Sequence, residues 1–174
     1  MRMLAAWHFP PVAGIIGVCS GERYGDYIIG KNRPIFIIGP WTVPKNSYAI
    51  AVCCMPYLPS GTRKGKAVLY QKIDGYSTAQ LKAIGKEVDL SVGRNWTIFP
   101  FVEKPIPLAQ DSEIYFGLYI TTTGSNMSIC FASSGTAKTL YCRIDVAYPM
   151  DPFGSADFSS SNYWLAGLQY GVRK

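Results

Sequence analysis

Apolar and polar side chains alternate along this sequence in short runs, and glycine, proline, asparagine or serine closes each run. Successive side chains of an extended strand point to opposite faces, so such runs fold only as strands with one face turned to a core. Ile114, Phe116, Leu118 and Ile120 fall on one face, with Tyr115, Gly117 and Tyr119 on the other. Met127 to Ala132 is expected to pair with that strand across the turn Thr123-Gly124-Ser125-Asn126. Leu140, Cys142, Ile144 and Val146 form another apolar face, leaving Tyr141, Arg143 and Asp145 toward water. Earlier runs include Ile35 to Ile38, Tyr48 to Cys54 and Lys66 to Ile73, the last closed by the turn signal Asp74-Gly75. Pro149 to Ser161 reads as a loop, and Tyr163 to Val172 as a closing strand. Ser77 to Ile84 is ambiguous, since Ser77 suits the N-cap of a helix of two turns at most before Gly85. Short strands at this spacing predict an all-β fold, an antiparallel β-sandwich of about eight strands.

With 174 residues the chain suits one domain and buries enough surface to need no metal or disulfide staple. Residues 35–174 are assigned to the sandwich, and residues 1–34 to an extended N-terminal arm or to first strands that join it. Only 16% of residues are charged, which favours a surface that contacts other protein. The formal charge is +6, but the only dense basic cluster is Arg63, Lys64 and Lys66, with Arg173 and Lys174 at the far end. No nucleic-acid motif accompanies it, so the cations are read as solvated and no nucleic-acid partner is expected. Met1 to Pro11 lacks a secretory apolar region, and no run of 18 apolar residues exists, so no membrane span is expected. That points to a soluble protein made in a cytoplasm.

Catalysis needs a positioned acid, base or nucleophile. The one histidine, His8, lies between Trp7 and Phe9 and is read as a packed or interface residue. Asp111 and Glu113 would share a face, as paired glycosidase carboxylates must, but they suit a strand end better. Asp151 and Asp157 share a loop without the spacing of a calcium site. Gly61 to Ala67 is one residue too short for a phosphate-binding loop and ends in Ala67 where Ser or Thr is required. The five cysteines form no C-x-x-C pair, and Cys54, Cys130 and Cys142 are expected as buried reduced thiols. No catalytic residues, metal or cofactor are therefore expected. The twelve tyrosines suit core and interface packing, or stacking on sugars. Tyr57 and Tyr76 would be the natural glycan platform, followed by Trp41, whereas Trp7, His8 and Phe9 are the assembly candidates.

Three stretches carry a resemblance: Lys66 to Tyr70 followed by a glycine-containing loop and Leu81; Gly93 to Phe99 leading to Ile106-Pro107-Leu108; and Asp111 to Tyr119, a strand reached from a polar turn. In this order they resemble jelly-roll β-sandwich domains of virus and phage structural proteins and of carbohydrate-binding modules. The resemblance implies a non-enzymatic virion component (capsid, tail or spike) whose partners are copies of itself and other particle proteins. The alternative it implies is a carbohydrate-binding or host-adhesion module that recognises surface glycans. A hydrolase has little behind it.

Overall fold

The computed structural model describes residues 11–101 and 105–172. Among them are β1 (Val12–Gly17), β2 (Gly25–Gly30), β3 (Ile35–Thr42), β4 (Ser47–Cys54), β5 (Pro56–Leu58), β6 (Arg63–Gln71), β7 (Gln80–Ile84) and β8 (Val88–Leu90). The second half adds β9 (Gly93–Arg94), β10 (Thr97–Pro100), β11 (Ile106–Leu108), β12 (Glu113–Ile120), β13 (Met127–Phe131), β14 (Lys138–Arg143), β15 (Phe158–Asn162) and β16 (Ala166–Gly171). The fold is all-β, and no described helix is long and apolar enough to cross a membrane.

The pairing is nested. β1 lies against β16, β3 against β12, β4 against β10 and β6 against β7, every pair antiparallel. The chain therefore runs as one long ribbon doubled back on itself and wrapped into two sheets. One is five-stranded, ordered β1-β16-β4-β10 with β11 also on β4. The other is seven-stranded, ordered β15-β14-β3-β12-β6-β7 with β8 also on β6. A four-stranded sheet, β2-β13-β5-β9, continues the first layer where the chain turns from β4 into β5 at Met55.

The main core fills the space between the layers. Phe36, Ile38, Leu69, Phe116 and Leu118 of the seven-stranded sheet meet Val52, Phe99, Leu168 and Ile129 from the facing sheets, all fully buried. The centre of the large sheet is apolar on both faces. Ile35, Phe36, Ile37 and Ile38 are each at most 1% exposed, which matches a continuous apolar run with both faces covered. Gly117 permits the closest approach here, because a Cβ at this position would collide with the Phe36 carbonyl oxygen.

Three expectations are corrected. Met127–Phe131 does not pair with β12 but crosses to the four-stranded sheet, between β2 and β5. Residues 77–84 form no helix: a turn at Ser77-Thr78 leads into strand β7, whose partner β6 supplies bonds that a two-turn helix lacks. Residues 144–157 form a strap that folds over the outer face of the large sheet, and β15 follows it inside the stretch read as a loop. Tyr119 donates to the carbonyls of Val146 and Ala147, Tyr70 donates to that of Met150, and Phe153 packs edge-on against Tyr70. Tyr141 and Arg143, expected to face water, are therefore half-buried, with Arg143 donating to the Phe153 carbonyl.

Candidate functional site

The clearest concavity is a groove of about 350 Å³ between the β1–β2 connection, the β13–β14 loop and the residues leading into β16. Trp41, Tyr163 and Trp164 supply aromatic surface, and Ser20, Ser134 and Thr136 supply hydroxyls. Among the described residues, none that lines it is charged.

Each wall is fixed by a separate constraint. Cys19 is disulfide-bonded to Cys53 of β4, with their Cα atoms 5.5 Å apart, which ties the β1–β2 connection onto the five-stranded sheet. The Val18 amide donates to the Ala166 carbonyl, and the Trp96 indole donates to that of Gly21. A Cβ on Gly167 would stand 2.6 Å from the Val18 carbonyl oxygen, so only glycine lets this segment cross there. Trp164 donates from Nε1 to the Lys138 carbonyl at 2.7 Å and meets Tyr27 and Phe131 edge-on. Trp41 stacks on Phe116 at 5.8 Å, and the Lys138 ammonium lies 4.9 Å from its ring centre. The Trp41 indole N–H is buried and has no hydrogen-bond partner among the described residues.

No protein-family model matches this chain, and no curated protein matches it. What the groove can do therefore has to be read from its residues.

The three aromatic candidates from the sequence sit in separate places. Trp41 is in the groove. Tyr57 lies on β5 rather than on a loop, and the Arg94 guanidinium covers one ring face at 3.9 Å. Tyr76 stacks face to face on Tyr141 at 3.9 Å and closes the cluster beneath the strap. Trp7, His8 and Phe9 lie outside the described residues. The sequence reading missed Tyr163, Trp164, Ser20, Ser134 and Thr136 as site residues. The adjacent Tyr163-Trp164 pair in a polar stretch was the one local signal.

The polar groups weighed for chemistry do structural work. Glu113 pairs with Lys72, and Asp111 takes a left-handed turn conformation with φ 61°. Asp151 accepts from the Leu81 amide and Asp157 from the Ile144 amide, so each holds a different backbone segment. Among the described residues, no group of three or more His, Cys, Asp or Glu is placed to hold a metal ion. Arg63, read as a solvated cation, is instead 1% exposed, and it joins two loops by donating to the carbonyls of Ser125 and Asn32. Burial lowers its pKa. Lys64 lies within ion-pair distance of Glu87 and Asp89, so the basic cluster is not a row of solvated cations. Cys54, Cys130 and Cys142 are buried free thiols as expected, and desolvation pushes Cys130 up to about 12.

Asp26 organises the four-stranded sheet. It accepts from Arg23 and from Arg94, each with a contact of 2.7 Å, and from the Cys130 thiol at 3.1 Å. The hydrogen bond from Arg23, followed by those from Arg94 and Cys130, outweighs desolvation and holds its carboxyl well below the usual range. A carboxyl with a depressed folded pKa contributes stability above its unfolded value, about 3.9, and loses that contribution as pH falls toward the folded pKa. The urea midpoint is therefore expected to fall from pH 4 to pH 2. The fall should be smaller in Asp26→Asn, and equal slopes in the two proteins would contradict this role.

Proposed function

We propose that this protein is a non-enzymatic structural component of a virion, of the capsid, tail or spike kind. It works by packing against further copies of itself through the outward face of its five-stranded sheet. The observation that carries the reading is the absence of charge from that sheet. The chain has 17 Lys+Arg and 11 Asp+Glu, yet not one residue of β1, β4, β10, β11 or β16 is charged. Cross-strand register places Ile15, Gln169 and Pro100 in one outward row with Ala51, which is itself buried, and Tyr48 in another between Pro107 and the buried Gly171. Ile98 is 55% exposed and Ile15 46%. Depletion of charge, more than bulk hydrophobicity, marks the centre of protein interfaces.

Two physical arguments favour a second copy as the occupant. Chains of charge +6 repel one another, and a charge-free face is where two of them approach at least cost. β10 and β11 share one edge of β4, so four strand positions about 4.8 Å apart and roughly six residues long at ~3.3 Å per residue give a face of about 400 Å². Two copies would bury about 800 Å², the size of a weak contact that serves as one among several in an assembly. The nested strand pairing supports the jelly-roll reading, an architecture that serves viral capsid and lectin domains. Structural partners for Glu113, Asp151 and Asp157 and the burial of the free thiols support a role without catalysis.

Light scattering on size-exclusion fractions tests this. Mass above the 19.2 kDa protomer is expected at tens of micromolar. Association should strengthen with salt, which screens repulsion between like-charged copies without weakening an uncharged contact. Ile15→Lys together with Ile98→Lys should restore the protomer. A wild-type protein that stays monomeric, or oligomers that dissolve in salt, would sink the reading.

A further inference from the structure

The groove calls for a ligand that the assembly reading does not supply. Its chemistry is specific in what it disfavours. An ionic ligand finds no charged residue among the described residues of the lining. A wholly apolar ligand would strip water from the hydroxyls of Ser20, Ser134, Thr136 and Tyr163 without replacing their hydrogen bonds. The groove favours a molecule with an apolar face for the rings and hydroxyls around its edge.

We propose that it is a saccharide-binding site, for a neutral pyranose unit. Tyr163 and Trp41 supply the ring surface that meets the C–H face of the sugar, Trp164 being only 4% exposed, and Ser20, Ser134 and Thr136 bond its hydroxyls. A volume of about 350 Å³ lies at the small end of ligand pockets and suits one or two sugar units. The site is also set in advance. The disulfide holds Ser20, the Lys138 carbonyl orients Trp164, and Phe116 backs Trp41. A saccharide therefore binds without ordering the aromatic surface, which removes a main cost of recognition. Tyr163 stands outside the core cluster that contains Trp164 and packs Trp41, so its ring serves the groove and not the sandwich core.

The indole N–H signals of Trp41 and Trp164 in ¹H–¹⁵N spectra report directly on the groove. The full chain is titrated with the methyl glycosides of glucose, galactose, mannose and N-acetylglucosamine, with adenosine as a flat aromatic control. Saturable shifts of both indoles with at least one glycoside are expected. Tyr163→Ala should weaken that binding by about tenfold or more, as loss of an aromatic contact worth at least ~1.4 kcal/mol requires. Ser134→Trp, on an exposed loop, should fill the groove and abolish the shifts while the remaining spectrum stays dispersed. Shifts with adenosine alone, no shifts with any glycoside, or shifts that survive in Ser134→Trp would overturn the proposal. None of these outcomes depends on whether the protein self-associates.

Discussion

Replacing Phe116 with alanine is expected to destabilise the protein by about 3–5 kcal/mol, read as a lower urea midpoint at an unchanged slope. Phe116 is fully buried in the inter-sheet core, on a central strand paired on both sides. The cavity left by the ring cannot close by backbone movement, because the neighbouring Gly117 already lies against the Phe36 carbonyl. The substitution also removes the ring beneath Trp41, so the groove should lose ligand affinity even in the fraction that stays folded. A loss under about 1 kcal/mol would mean that the sheets do not meet at this residue.

Reduction of the Cys19–Cys53 disulfide should have an effect of similar size. The two residues are 34 apart in sequence, and opening a loop of that length releases chain entropy worth about 3–4 kcal/mol. Cys19→Ser should lose the same stability without reductant and should then be indifferent to it. Cys54 is the natural competitor as the immediate neighbour of Cys53, but burial raises its pKa and suppresses the thiolate that exchange requires. Alkylation of the denatured, unreduced protein should therefore label Cys54, Cys130 and Cys142 only. Label on Cys19, or equal stability with and without reductant, would refute the pairing.

The groove and the uncharged sheet face lie side by side. The Cys19–Cys53 bridge and the Val18 backbone pass over the corner of the five-stranded sheet where Gly167 and Cys53 stand opposite Ile98. The connection that stiffens the groove wall also borders the proposed contact between copies. Binding at one place and packing at the other are thus separable by substitution: Ile15 and Ile98 do not line the groove, and Tyr163 and Ser134 are not on the five-stranded sheet.

The sequence alone determined that the chain is all-β. Alternation at period two is a local property, and it put Phe116, Leu118 and Leu140 on core faces without knowledge of any partner strand. It also marked Cys54, Cys130 and Cys142 as buried thiols, because small apolar side chains inside strands have nowhere else to go. What alternation cannot supply is the identity of the neighbour. It suggested a hairpin between residues 114–120 and 127–132, where the chain instead leaves for another sheet. It assigned Tyr141 and Arg143 to water because the strap that covers them begins only after β14 ends. The groove shows the same limit, since Ser20, Trp41, Ser134 and Tyr163 come from four segments that only the nested wrapping of the ribbon gathers. Face is set by each residue and its two neighbours, whereas partners are set by contacts between residues far apart in the chain. Only the tertiary structure could decide those.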